Sequence, residues 1–363
     1  MADLTLDIHG LLRLVVADPP GWLRSFLLRK LGHFVRGGTE AGQSADILLL
    51  PLAPARLRFP REILLHSPYH MAVTRYEESP GIALGCGGET ELLYVPGHPI
   101  RLYYRNDARL QGRLYLLFLF ALHQGLAARG ALLVHGAAAV RGDRCIALCG
   151  LRGSGKSQLF LELLENGWDY LGDDKCIVAA GEAMLFQPNI GITDFHLRGR
   201  PELRSCMGRP DRILFAPPVR WARELLYRTP LPWLRRWYGF FPERLLRPAV
   251  QLHAQCVFPG VRLVDRQRIR TLFLLETGVA LTVRRRKLTE VLGQLTAIQS
   301  LLFAPMSPFE RMLAFCSDSS VSPDREVLAT HLRGIEAIHS VTIPYGTPAR
   351  AIYEAIAPCC EPA

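Results

Sequence analysis

Gly150-Leu151-Arg152-Gly153-Ser154-Gly155-Lys156-Ser157 matches the phosphate-loop pattern G-x-x-x-x-G-K-[ST] at every position. The flanking residues supply the context the pattern requires. Before it, Cys145 to Cys149 is a wholly apolar run of the kind that forms a strand covered on both faces. After it, Leu159/Leu163 and Phe160/Leu164 repeat at four-residue spacing, which predicts a helix, and Asn166-Gly167 stops it. Glycines at 150, 153 and 155 let successive backbone N–H groups turn inward, and the helix adds its positive end to the same concavity. A polyphosphate is the natural guest. The predicted cradle runs from Gly150 through Arg152, Gly153, Ser154, Gly155, Lys156 and Ser157 to Gln158. Lys156 is expected to reach β- and γ-phosphate oxygens, and the Ser157 hydroxyl to complete the shell of a bridging Mg²⁺.

The chain has 363 residues, 49% of them hydrophobic and 21% charged, enough for a substantial core and for more than one domain. Its longest apolar run, Leu114 to Leu122, is about half of what a bilayer crossing requires, so no membrane span is expected. The start, Met1-Ala2-Asp3-Leu4, lacks the basic residues and apolar core of a signal peptide. The nine cysteines include no C-x-x-C pair, and Cys145, Cys149 and Cys176 fall in predicted core strands. They read as reduced thiols in a cytoplasmic protein. Between His196 and Arg286 stand 19 arginines against 6 acidic residues, so this stretch alone exceeds the net charge of +10.

Residues 1–105 alternate short apolar runs with Pro and Gly, which predicts a small, mostly antiparallel β-rich domain. Residues 106–130 read as a connecting helix, apolar on nearly every side and therefore buried. Residues 131–350 read as an α/β nucleotide-binding domain built on a mixed sheet, closed by a helix predicted from Pro348 to Ala357, with residues 351–363 counted as the chain's tail. Within it, Ala131 to Gly136 is a strand ending in His135 and Gly136, Asp173-Asp174 follows a strand, and Cys176–Ala180 and Ala183–Phe186 form a hairpin whose expected two-residue turn is Gly181-Glu182, glycine leading. Neighbouring strand residues point to opposite faces, so Asp173 and Asp174 share a site only if the chain bends there. One acid can then hold Mg²⁺ while the other takes a proton from an attacking hydroxyl. The segment 196–259 interleaves arginine with Trp221, Tyr227, Trp233, Trp237, Tyr238, Phe240 and Phe241. That composition suits a solvated Arg-rich face, an acidic or phosphorylated partner, single-stranded nucleic acid or a membrane interface.

His135-Gly136, the loop, Glu165-Asn166-Gly167 and Gly172-Asp173-Asp174, at their spacing, resemble the catalytic domain of the HPr kinase/phosphatase family. More distantly they resemble the phosphate-loop core of phosphoenolpyruvate carboxykinases. The resemblance implies an HPr kinase/carboxykinase-like core and a Mg²⁺-dependent transfer of phosphate from ATP, with GTP left open, to a serine-type hydroxyl. By position, Asp173 resembles the family's catalytic carboxylate, Asp174 the metal-side acid beside Ser157, His135 the histidine near the reacting phosphate, and Lys156 the phosphate contact. The family's second signature is absent unless His196-Leu197-Arg198-Gly199-Arg200 is a degenerate form, which leaves reverse dephosphorylation open. The N-terminal region and the Arg/Trp segment are unlike the HPr-directed enzymes. The implied acceptor is therefore a peptide or protein, such as a ribosomally made lasso peptide, or a small-molecule hydroxyl, in some readings an acidic one. Two rival readings stand beside it, a nucleotide-gated binding protein and a nucleic-acid-associated NTPase. Whether the chain forms a homo-oligomer is not legible.

Overall fold

Leu12, Leu14 and Val16 are buried while Arg13 and Val15 are half-buried, the period-two pattern of a strand with one face on a core. The computed structural model describes residues 3–36, 44–53, 63–67, 71–77, 79–86, 89–151, 153–221, 249–302, 309, 312 and 325–360. Strand β2 (Leu12–Val16) pairs antiparallel with β1 (Leu4–Ile8), and a helix, α1 (Gly21–Leu31), follows. Parallel neighbours cannot be joined by a tight hairpin, and α1 provides the crossover that sets β3 (Ile47–Pro51) parallel to β2. Then come β4 (Ile63–Ser67), β5 (Met71–Tyr76), β6 (Ser79–Cys86), β7 (Glu89–Val95) and β8 (Ile100–Tyr104). Together they form an eight-stranded sheet in the order β1-β2-β3-β8-β7-β6-β5-β4. Its pairings are antiparallel as expected, except that β3 lies parallel to both β2 and β8. The helix α1 is not anticipated by the strand-like pattern of this region.

A single 3-10 turn, Ala108–Leu110, capped by the Asp107 carboxylate, opens α2 (Gln111–Ala127). Leu114 and the run from Leu117 to His123 are buried. Around α2 gathers one hydrophobic cluster that contains Leu23 and Phe26 of α1, Leu14 and Tyr94 of the first sheet, Leu133, Ile177 and Met184 of the second, and Phe186 just beyond it. The helix is thus the middle layer between two sheets. No helix among the described residues is long and apolar enough to cross a membrane.

The second sheet has nine strands and is mixed, so the molecule is a mixed α/β protein. It contains β9 (Leu132–Val134), β10 (Gly136–Arg141), β11 (Arg144–Gly150), β12 (Asp169–Gly172), β13 (Cys176–Ala179) and β14 (Glu182–Met184). A separate two-stranded ribbon is made by β15 (Asn189–Thr193) and β16 (Ala249–His253). The sheet is completed by β17 (Arg266–Gly278), β18 (Thr282–Arg286) and β19 (Ala337–Pro344). The hairpin β13–β14 turns at Ala180 and Gly181, both left-handed with φ 48° and 82°, as a two-residue type I′ turn demands. The helices of this half are α3 (Lys156–Glu165), α4 (Asp194–Gly199), α5 (Arg209–Leu214), α6 (Ala254–Val257), α7 (Leu288–Leu302), α8 (Arg325–His331) and α9 (Ala349–Cys360). The closing helix expected over Pro348 to Ala357 is α9, which runs three residues further, and its Ile352, Ile356 and Cys360 are buried in the same cluster as Phe160 and Leu164 of α3.

Strand direction decides what this sheet can present. β11, β17 and β19 run parallel, and β10 runs against both β11 and β12. The carboxyl ends of β11, β12, β17 and β19 and the start of β10 therefore come to one edge, in the lateral order β12-β10-β11-β17-β19. In open α/β sheets, ligands bind outside such carboxyl ends.

Because Phe186 belongs to the core that α2 shares with the first sheet, its loss is expected to weaken both sheets together. Phe186→Ala should lower unfolding free energy by about 3–5 kcal/mol. Tryptophan fluorescence and far-UV circular dichroism should still report one coincident denaturant transition.

Candidate functional site

The loop between β11 and α3 is shaped by three glycines. Gly153 and Gly155 both have φ 88°, a region that side-chain-bearing residues rarely adopt. Gly150 is required for a different reason, since a Cβ there would lie 2.5 Å from Ser154 Oγ and 2.9 Å from the Leu275 carbonyl oxygen. The loop delivers the N-terminus of α3, whose first N–H groups have no partners within the helix, to the sheet edge. Ser154 Oγ is buried and has no hydrogen-bond partner among the described residues. Gly153, Ser154, Gly155, Lys156, Ser157 and Gln158 all line one cleft of about 1210 Å³. Arg152 lies outside the described residues.

His135, Asp173 and Asp174 reach the same cleft because two strands break at one corner. β9 pairs with β13, while β10, one residue later, pairs with β11 and β12. His135 occupies the switch, and Asp173-Asp174-Lys175 occupies the matching switch between β12 and β13. The Gly136 N–H donates to the Asp174 carbonyl at 3.2 Å, locking the two bends together. Asp174 has φ 65°, and the Lys175 N–H donates back to the Asp173 carbonyl at 2.7 Å, which closes a γ-turn in its less favoured form. This is the bend that two adjacent acids need to address one site. Local strain of this kind concentrates where function requires a side chain in an unusual direction.

The polar contacts form a connected set. Lys156 Nζ lies 2.9 Å from His135 Nε2, and His135 Nδ1 lies 3.3 Å from Asp174 Oδ1. An ammonium can only donate, so His135 accepts at Nε2 and carries its proton at Nδ1, which lies near the Asp174 carboxylate without making a hydrogen bond among the described residues. Lys175 Nζ donates to Asp174 Oδ2. Asp173 Oδ2 accepts the Gly191 N–H of β15 at 3.1 Å, while its buried Oδ1 has no hydrogen-bond partner among the described residues. Gln299 of α7 steadies the corner, accepting the His135 N–H at 3.0 Å and donating to the Leu133 carbonyl.

Environment separates these groups. Burial, and then the neighbouring Asp174 charge, push the Asp173 carboxyl up to about 6. Burial also works against charge on Asp174, yet Lys175 and His135 outweigh it and bring that carboxyl down to about 2. Burial, followed by the Lys156 charge, holds His135 down to about 4, so the imidazole is neutral near pH 7. Two adjacent carboxyls therefore sit far apart in acidity, the pattern that separates a proton acceptor from a fixed negative charge. Behind them, Lys30 of α1 stands over the Tyr115 ring, and burial and then the Lys175 charge lower it to about 8.

Of the residues expected to hold Mg²⁺, Ser157 and Asp174 line the cleft together. No group of three or more His, Cys, Asp or Glu suited to a metal occurs among the described residues. Mg²⁺ commonly takes one or two protein oxygens and fills its shell with water and substrate phosphate, so this small oxygen set fits it. The cleft also contains Thr193, Phe195, His196, Gln251 and Tyr345, which sequence patterns do not single out. For His196 a local signal exists, because it closes a capping box in which Thr193 N–H donates to its Nδ1 at 3.1 Å. Arg200 does not face the cleft. It pairs with Glu162 and Glu165 at the end of α3 and so has a structural role. Trp221 is exposed, and the other aromatic residues named above between 222 and 248 lie outside the described residues. A scan against models of protein families and a search of curated proteins both return no match for this chain.

Asp173 has a pH signature. Its carboxyl titrates near 3.8 when unfolded and near 6 when folded, so its contribution to stability is complete below 3.8 and is lost as pH rises through 6. Asp173→Asn keeps an acceptor for Gly191 and removes the buried charge. The variant should be more stable than the parent by about 1–3 kcal/mol at pH 7. The difference should shrink toward zero at pH 4, as read from urea unfolding at a series of pH values.

Proposed function

We propose that the chain is a Mg²⁺-dependent phosphotransferase, a divergent HPr-kinase-like enzyme with an HPr kinase/carboxykinase-like core. It moves the γ-phosphoryl group of ATP to a hydroxyl, a serine of a peptide or protein. The observation that carries the proposal is Asp173 at the corner beside the loop. It is a carboxylate only 5% exposed, with one oxygen anchored on Gly191 and the other unpartnered and buried at the cleft. A carboxyl that titrates near 6 is ionised at neutral pH, yet basic enough to accept a proton as an O–P bond forms.

Each neighbouring residue has a task in this reading. The loop N–H groups and the α3 N-terminus cradle the phosphates, and Ser154 Oγ supplies a further donor. Lys156 gives one N–H to His135 and retains two for phosphate oxygens. His135, being neutral, orients Lys156 without repelling it, and Lys175 holds Asp174 in place. Ser157 Oγ and Asp174 would hold a Mg²⁺ ion, which would supply charge neutralisation for the phosphates. In the transfer, the bond from the γ-phosphorus to the β–γ bridging oxygen breaks and a bond to the acceptor oxygen forms. The acceptor's proton passes to Asp173 Oδ1.

The test combines γ-labelled ATP, Mg²⁺ and size-fractionated extract from the source organism, followed by mass analysis of labelled species. The parent chain should add one phosphate to a defined acceptor. Asp173→Ala should lower labelling by at least about a hundredfold while nucleotide affinity is retained. Labelling that survives this substitution would refute the assignment of Asp173.

A further inference from the structure

The lateral order of the sheet edge gives the cleft two distinct ends. The acid pair follows β12, two strands to one side of β11, and Tyr345 follows β19, two strands to the other side. At about 4.8 Å per strand these positions stand roughly 19 Å apart, with the glycine loop midway. Three phosphates, a ribose and a base laid in an extended line cover a distance of that order. With the reacting end of the nucleotide at Asp173 and its phosphates over the loop, the nucleoside is directed toward the β19–α9 turn.

That turn is built to hold an aromatic ring outward. Pro344, Tyr345, Gly346 and Thr347 form a turn in which the Thr347 N–H donates to the Pro344 carbonyl at 3.2 Å and Gly346 takes φ 84°. Left-handed glycine at the third position is the requirement of a type II turn, which leaves Tyr345 at its tip. Tyr345 is 98% exposed and lines the cleft. Gly155 at the start of α3 approaches the same flank, its side-chain position lying 3.9 Å from Ile352 Cδ1 and 4.0 Å from Ile343 Cδ1. Among the described residues the wall around it is mainly apolar, with Ile343, Pro344, Pro348 and Ile352, the polar Thr277 stands opposite Ile343, and the Thr347 hydroxyl is already donated to the Pro344 carbonyl at 2.8 Å.

We infer that Tyr345 is the stacking platform for the nucleobase, and that contact with the flat face of the base dominates its recognition at this end of the cleft. The inference rests on the phosphotransferase reading for the placement of the phosphates. A site of this kind accepts adenine and guanine alike, because every base offers a π-face. The chain is accordingly a kinase that binds ATP and GTP with similar affinity.

Calorimetric titration of the full-length chain with Mg²⁺ complexes of ATP, GTP and inorganic tripolyphosphate tests this, since tripolyphosphate reports the loop without a base. The parent should bind ATP and GTP within about tenfold of each other. Tyr345→Ala should weaken both by about tenfold and leave tripolyphosphate unchanged, and Tyr345→Trp should restore both. The inference is overturned if Tyr345→Ala leaves ATP affinity intact, if it weakens tripolyphosphate equally, or if the parent prefers one nucleotide by more than about a hundredfold. Failure of the parent to bind tripolyphosphate or nucleotide overturns the phosphate-loop reading and this inference with it. Binding of tripolyphosphate no weaker than that of ATP overturns only the platform.

Discussion

Two neighbouring strand pairs, β9–β10 and β12–β13, leave their ladders at one corner, and the site follows from that constraint. A continuous strand through His135 would send that side chain and the next to opposite faces. The break instead turns His135, Asp173 and Asp174 to one side, and the Gly136 to Asp174 backbone hydrogen bond holds the two bends in register. The glycine loop then needs only to end β11, the strand beside β10, for Lys156 to meet His135.

Burial gives these groups their separate characters. Asp173 is buried, accepts a single N–H among the described residues and stands beside the Asp174 charge, so its own charge is costly. Asp174, one residue along, faces Lys175 and His135 and keeps its charge easily. His135 is confined beside a lysine and remains neutral. Each shift follows from which atoms face the group, and none requires an exceptional residue type.

The first sheet is structurally inseparable from this arrangement. Helix α2 packs among residues of both sheets, the His9 ring bonds to the Leu185 carbonyl at 2.6 Å, and Asn189 Nδ2 donates to the Arg29 carbonyl at 3.1 Å. The second of these contacts ties α1 to β15, the strand whose Gly191 anchors Asp173. Lys30, also on α1, adds positive charge behind Lys175. The described residues of the N-terminal region thus support the cleft from behind, and none of them lines it.

The sequence alone determined the features carried by short-range patterns. The glycine loop with its strand and helix, the α2 helix, the β13–β14 hairpin and the acid pair at a strand end were all legible, because each depends on residues within a few positions of one another. The α1 crossover was not, since a mixed apolar and basic stretch such as Trp22 to Leu31 becomes helical only once β2 and β3 are to lie parallel. The closing helix was legible from Pro348, but its end was not, because its last turn, beyond Ala357, is held by burial of Cys360. Tertiary structure alone decided that Lys156 touches His135, that Gly191 anchors Asp173, that Arg200 serves α3 and that Tyr345 shares the cleft. Those partners lie 18 to 38 residues apart where they form bonds. Their meeting is set by strand direction, register and the lateral order of the sheet, which no local periodicity encodes.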